Sequence, residues 1–281
     1  MRKYWLMLVM TAVLLIPSSV FANSYVNQNG VIINETDYEN LKKFYSEKHI
    51  SILSQDEYDE IMNQGIDFDN VKQTIKYIKT EYNQVTGKYV DTEVTEEEYN
   101  SYQPNENTRA TIIETSYKRI ALGFAKMSGT YAFVTFNAIW KIMPKVRSFD
   151  VIGVRLSNLD VVNGTQGGNQ IYDLNGQTSY VSYAFNGTNI KNLSNGFGIS
   201  MNLLNSNVTY LECTINATME VEAYPAVLFA SYQHAVQDVT LATSQNYTIG
   251  VGLGNVFVFN NNIGNKYDGM EGTYDYLPTP S

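Results

Sequence analysis

The sequence predicts a mainly β protein: an antiparallel β-sandwich or jelly-roll domain over residues 110–281, preceded by a small α-helical and β-hairpin region. Three observations lead there. The first is alternation. In "VTYLECTINATMEVE", Leu211, Cys213, Ile215, Ala217, Met219 and Val221 fall on one side, and Tyr210, Glu212, Thr214, Asn216, Thr218 and Glu220 on the other. That period of two is the mark of a half-buried strand, with the polar side expected to face water. The second is punctuation: "NGTQGGN", "LNGQ", "FNGTN", "SNGFG" and "LNSN" separate the apolar runs. Turn chemistry at that frequency implies about seven to nine strands and no helical period. The third is a change in charge. Residues 23–109 hold 17 acids and 8 bases, whereas residues 110–281 hold 11 acids and 9 bases.

Taken in order, residues 1–22 read "MRKYWLMLVMTAVLLIPSSVFA". Arg2 and Lys3 precede a short apolar run, and Val20 and Ala22 supply small residues before a cleavage point. This pattern predicts a signal peptide removed after Ala22, and hence secretion, because the run is too short to span a bilayer. An acidic helical region is expected over 23–72. Asn34, Ser54 and Thr95 each sit three residues before an acid (Asp37, Glu57, Glu98), one after an apolar residue (Ile33, Leu53, Val94) and four before a tyrosine (Tyr38, Tyr58, Tyr99). Cap, capping acid and hydrophobic staple together predict three helix starts. Gly65 should end the second of them. Alternation around "NQVTG" predicts a β-hairpin near 73–94, within a hairpin and short-helix segment spanning 73–102. Residues 103–109, "QPNENTR", read as a linker.

In the sandwich domain, "TYAFVTFNAIW" aligns Ala132, Val134, Phe136, Ala138 and Trp140, and "FDVIGVRL" aligns Ile152, Val154 and Leu156. In "AVLFASYQHAV" both Val227/Phe229 and Ala226/Leu228/Ala230/Tyr232 are apolar, which predicts a central strand buried on both faces. Cys213 lies on an apolar face and reads as a core thiol. As the chain has one cysteine, no intrachain disulfide can form and the fold rests on its apolar core.

Composition limits the partners. The chain carries 28 acids and 19 bases, and 28 against 17 once Arg2 and Lys3 leave with the signal peptide. This argues against nucleic acid and against an anionic membrane surface. Catalytic signals are sparse. His49 is expected at the surface; His234, beside Tyr232 and Asp238, reads as a hydrogen-bonded histidine at a strand end, with a general base as the functional alternative. Asp173, Asn175, Asp268, Glu271 and Asp275 carry oxygens that calcium accepts, but no metal-binding loop pattern joins them, and Asx turns account for Asp173 and Asp268. No metal and no cofactor is expected. The one basic spot of the sandwich is "WKIMPKVRSFD", where Lys141, Lys145 and Arg147 follow Trp140. With His234, these make a candidate binding set, Trp140 stacking on a sugar and the cations meeting an acidic polymer.

The "TEEEYNSY" segment, the stretch from Trp140 to Ser148 and "ASYQHAV" together resemble a group of secreted proteins of Gram-positive bacteria to which no activity is assigned. The resemblance implies a bacterial origin, points to the stretch from Trp140 to Ser148 and to His234 as places to look, and carries over no catalytic residue. The expected function is that of a non-enzymatic surface or interaction protein binding a glycan, a cell-wall polymer or a protein. The first alternative is a secreted hydrolase using carboxylates or His234. The second is a pore-forming protein, motivated by the alternation over 208–221, although a membrane partner fits the second apolar run poorly.

Overall fold

Asn34, Ser54 and Thr95 cap helices. In each case the side chain accepts the backbone N–H three residues on, and Ser54 with Glu57 closes a full capping box. The helices are α1 (Glu35–Leu41), α3 (Gln55–Asn63) and α4 (Glu96–Ser101). Between the first two lies α2 (Glu47–Ile50), capped by Ser46, which sequence reasoning missed because it lasts a single turn. Gly65 follows the end of α3 with φ +70°, the left-handed conformation that stops a helix. The computed structural model describes residues 24–102, 115–204, 207–250, 256–268 and 272–277; the expected signal peptide and linker lie outside these residues.

After β1 (Ser24–Val26) and β2 (Ile32–Asn34), which pair with each other ahead of the helices, the expected hairpin forms from β3 (Lys72–Asn83) and β4 (Lys88–Val94). It does not stand apart from the sandwich. β3 pairs along ten residues with β5 (Thr115–Lys126), which pairs in turn with β6 (Tyr131–Trp140). An eight-stranded sheet results, ordered β10 (Gln177–Ala184), β9 (Gly167–Leu174), β13 (Val208–Val221), β6, β5, β3, β4, with β8 (Leu159–Val161) also on β13. Strands on both sides of residues 103–109 therefore share one sheet. The second sheet has five strands, ordered β11 (Ile190–Leu193), β12 (Gly196–Asn202), β7 (Phe149–Ser157), β14 (Ala226–Gln233), β17 (Gly272–Leu277). Every pairing among these described strands is antiparallel.

The two sheets face each other across a core that includes Phe124, Phe136, Trp140, Ile152, Phe197, Ile199, Leu211, Ile215 and Leu228. Each fully buried side chain of this size contributes about 1.5–3 kcal/mol relative to exposure. The alternating residues of β13 and β6 enter this core in the phase that the sequence predicts.

The outer face of the large sheet is also covered. Ile33, Leu41, Phe44, Ile50 and Leu53 of the N-terminal region pack on Ala125 and Phe133. The Phe44 carbonyl accepts the Thr135 hydroxyl at 3.0 Å and the Asn137 amide at 3.4 Å. Gly123 permits the approach, since a Cβ there would lie 2.7 Å from the Phe44 ring. This second layer corrects two expectations. His49 is buried rather than at the surface, and Glu212 does not face water. The Glu212 carboxylate is fully buried and accepts the hydroxyls of Ser46 (2.5 Å), Tyr210 (2.5 Å) and Thr214 (2.7 Å). On the outer face of the small sheet, where β15 (Tyr247–Ile249) pairs with β16 (Phe257–Phe259), Val239, Tyr247, Ile249, Phe257 and Tyr267 close over Val151 as a separate apolar cluster.

Candidate functional site

The candidate residues of the basic segment do not converge. Trp140 is 2% exposed; its indole N–H donates to the Tyr232 hydroxyl at 3.0 Å, and its ring meets His234 edge-on at 4.7 Å. A ring so enclosed cannot stack on a sugar, which corrects that expectation. The cause is phase: Trp140 is the last inward residue of β6, in line with Ala132 through Ala138. Lys141 is half-buried, donates to the Tyr99 carbonyl and stands 4.8 Å from the centre of the Tyr99 ring. Arg147 donates to the carbonyls of Pro144 (2.8 Å) and Leu204 (2.6 Å), so its fork closes a loop. Lys145 is exposed.

His234 belongs to a buried polar network instead. Asp150, on β7, is fully buried and accepts the Tyr232 hydroxyl, the Ala235 N–H at 2.9 Å and His234 Nδ1 at 3.0 Å. Asp268 accepts the His234 backbone N–H at 3.0 Å and the Lys118 ammonium. Lys118 also lies 5.1 Å from the centre of the Trp140 ring. Burial raises the Asp268 carboxyl to about 6 in spite of Lys118 beside it. Burial opposes the Lys118 charge too, but Asp268 and Asp91 outweigh it and hold the ammonium above its ordinary value. Burial likewise pushes the Cys213 thiol and the Tyr232 phenol up, away from nucleophilic forms.

Sequence reasoning missed Asp150 and Lys118, though a signal existed. Asp150 is in phase with Ile152, Val154 and Leu156, and Lys118 with Ile120, Leu122 and Phe124, so each is a charge on an inward strand face. Asp268, for which the sequence suggests an Asx turn, is buried and ion-paired with Lys118. The other calcium candidates are dispersed. Asp173 pairs with Lys48 at 2.6 Å, and Asp275 accepts the Thr74 hydroxyl at 3.0 Å. Glu271 lies outside the described residues, among which no three ligand-type side chains group to hold a metal.

An accessible aromatic surface lies on the outer face of the small sheet. Arg155 (β7), Phe229 (β14) and Tyr274 (β17) stand opposite one another across three strands, and Val227 stands opposite Tyr276 in the adjoining row. Tyr274 is 62% exposed and Tyr276 51%. The rings of Phe229 and Tyr274 are 5.7 Å apart, and the Arg155 guanidinium carbon lies 3.8 Å from the centre of the Phe229 ring. Arg155 is only 5% exposed, and its Nε and Nη2 have no hydrogen-bond partner among the described residues. Val227 and Phe229 are half-buried, which corrects the expectation of a strand buried on both faces. β14 is one strand from the sheet edge, and the covering cluster reaches Phe229 without enclosing it.

No protein-family model matches the sequence. No curated protein matches it. Among solved structures, the chain is similar to the KRT10-binding region domain of the pneumococcal serine rich repeat protein PsrP, at 14% identity and a TM-score of 0.28, covering 58% of this chain and 87% of that one. It is also similar to a pore forming protein at 9% identity and a TM-score of 0.25, covering 58% of this chain and 79% of that one. Likenesses this slight carry no functional argument. Among the described residues, no helix is long and apolar enough to cross a membrane.

Proposed function

We propose that the protein is a secreted, non-enzymatic surface or interaction protein that holds a glycan or wall-polymer chain against Phe229, Tyr274 and Tyr276. The observation that carries this reading is the exposure of two tyrosines on one face of an edge strand, beside a third ring. Tyrosine rings offer flat apolar area at small entropic cost while their hydroxyls stay wet, which suits the mixed faces of a sugar. Adjacent outward positions on a strand are ~7 Å apart, so a chain lying along β17 can touch both tyrosines.

The alternatives are less well supported. A hydrolase built on His234 would need that ring to face a substrate, whereas it is 6% exposed and its Nδ1 is engaged by Asp150. A pore-forming hairpin built on β13 would have to strip the N-terminal layer, with Ser46, from the buried Glu212. The test is retention of the mature protein on a panel of glycans and insoluble cell-wall fractions, with a Tyr274→Ala/Tyr276→Ala double variant alongside. Retention lost in the variant supports the reading. Equal retention of both proteins removes the aromatic row as the site, and retention of neither removes the function.

A further inference from the structure

A second, independent site lies on the opposite side of the sandwich. A cleft of about 260 Å³ opens between the loop at 42–47 and the outer face of the large sheet. Its floor includes Gln73 of β3, Arg119, Ala121 and Gly123 of β5, and Asn137 and Ile139 of β6. The small Ala121 leaves the space, Arg119 borders it, and Phe44 packs down onto Gly123 at its end. The wall is held in place: Gln73 Nε2 donates to the Lys43 carbonyl at 3.0 Å, and Phe44 is anchored to Thr135 and Asn137.

We propose that this cleft binds a small oxyanion, a carboxylate or phosphate group, held by the Arg119 guanidinium. The cleft lining carries Lys42, Lys43 and Arg119 against one acid, Glu47, in a chain of formal net charge −9. Two of the three cations are occupied. Lys42 pairs with Glu39 at 2.7 Å, and Lys43 donates to the Phe68 carbonyl at 2.7 Å and to Asn40 at 3.3 Å. Arg119 differs. It is half-buried, and it takes part in no ion pair among the described residues. Its contact with Asn137 Oδ1 is 3.5 Å, the outer limit of a hydrogen bond, and the hydroxyl-bearing rings around it are those of Tyr99, Tyr210 and Tyr77, the last of which also engages Glu96. A guanidinium is a planar fork of five donors matched to two oxygens of a carboxylate or phosphate. Held at the edge of an open cleft with so few acceptors, it has donors to spare for an incoming anion. The cleft is smaller than pockets for drug-sized ligands, so it fits one sugar ring or one acyl or phosphoryl group and not a chain.

The test is calorimetric titration of the mature protein with glucuronate, glycerol phosphate and, as a neutral control, glucose. The expected result is binding of at least one anion, no binding of glucose, and an affinity at least about tenfold lower in Arg119→Gln. The glucuronate and glycerol phosphate arms separate a sugar-acid source from a phosphate-ester source. Absence of anion binding at ~10 mM, or equal binding by R119Q, overturns the proposal. Should R119Q fail to fold, the Nε–Hε NMR signal of Arg119 in the unaltered protein gives the readout. A shift on titration supports the site, and an unmoved signal overturns it. Loss of retention in the Tyr274/Tyr276 variant has no bearing on this outcome, because neither tyrosine lines the cleft.

Discussion

Lys118 of β5 and Asp268, 150 residues later in the chain, form an ion pair with side chains 3% and 1% exposed. The pair ties the large sheet to the segment that precedes β17, and Asp268 also holds the His234 backbone. Its energetic balance is unlike that of a surface pair. Two charges withdrawn from water are tolerable together, but one of them alone is costly.

The first prediction concerns Lys118→Met. The substitution leaves the Asp268 carboxylate buried without its cation and should cost about 3–5 kcal/mol at neutral pH. The sign of the pH dependence follows from the carboxyl. Burial already raises it to about 6, above the unfolded value of ~3.9, so the folded state binds the proton more tightly. Its contribution to stability is therefore greatest below the unfolded value and falls as pH rises toward the folded one. Removing Lys118 moves the folded value higher still. Urea denaturation should show K118M much less stable than the parent at pH 7.5 and closer to it at pH 5. A loss independent of pH would mean that the carboxylate is not the source.

Tyr232 is the hub of the neighbouring network, donating to Asp150 and accepting from the Trp140 indole. Tyr232→Phe preserves the ring and removes both bonds, leaving a buried indole N–H without an acceptor. A loss of about 1–3 kcal/mol is expected, with a change in tryptophan fluorescence as the indole loses its partner. Unchanged stability would show that the network is not under tension to be satisfied.

Ser54 accepts the Glu57 N–H at 3.3 Å, while the Glu57 carboxylate accepts the Ser54 N–H at 2.8 Å. Ser54→Ala should lower stability by about 1 kcal/mol, whereas Gln55→Ala, one residue inside the same helix and exposed, should change little. Equal effects of the two in thermal denaturation would deny the cap its role.

Gly123→Ala introduces a methyl group 2.7 Å from the Phe44 ring and 3.0 Å from both the Lys43 carbonyl and Thr135 Oγ1. The strand itself accepts alanine, so any cost arises from the layer above. About 1–3 kcal/mol of destabilisation is expected, with faster proteolysis within residues 24–66 than within the sandwich. Unaltered cleavage of that region would show that it is not held through Phe44.

Local chemistry was readable from the chain alone. Helix starts at Asn34, Ser54 and Thr95, the stop at Gly65, the hairpin around "NQVTG", and the inward phase of β6, β7 and β13 each depend on neighbours within a few residues. Capping and alternation act over that distance, so the mainly β, antiparallel architecture was legible. The candidate site was less so. Trp140 stood out by composition, yet its own strand phase already placed it inside, and Lys118 and Asp150 carried the same signal unread. Tertiary structure alone decided which faces receive a second layer. A polar strand face such as that of Glu212 and Thr214 is compatible with water or with a covering of hydroxyl donors, and only the docking of Ser46, 166 residues from Glu212 in the chain, selects between them. The converse holds for Phe229 and Tyr274. Their apolar face suits burial, but β17 lies at the sheet edge and the cover stops short of it, which leaves Phe229 half-buried and Tyr274 exposed. Alternation records that a strand has two different faces; what lies against each is a long-range contact that no local pattern encodes.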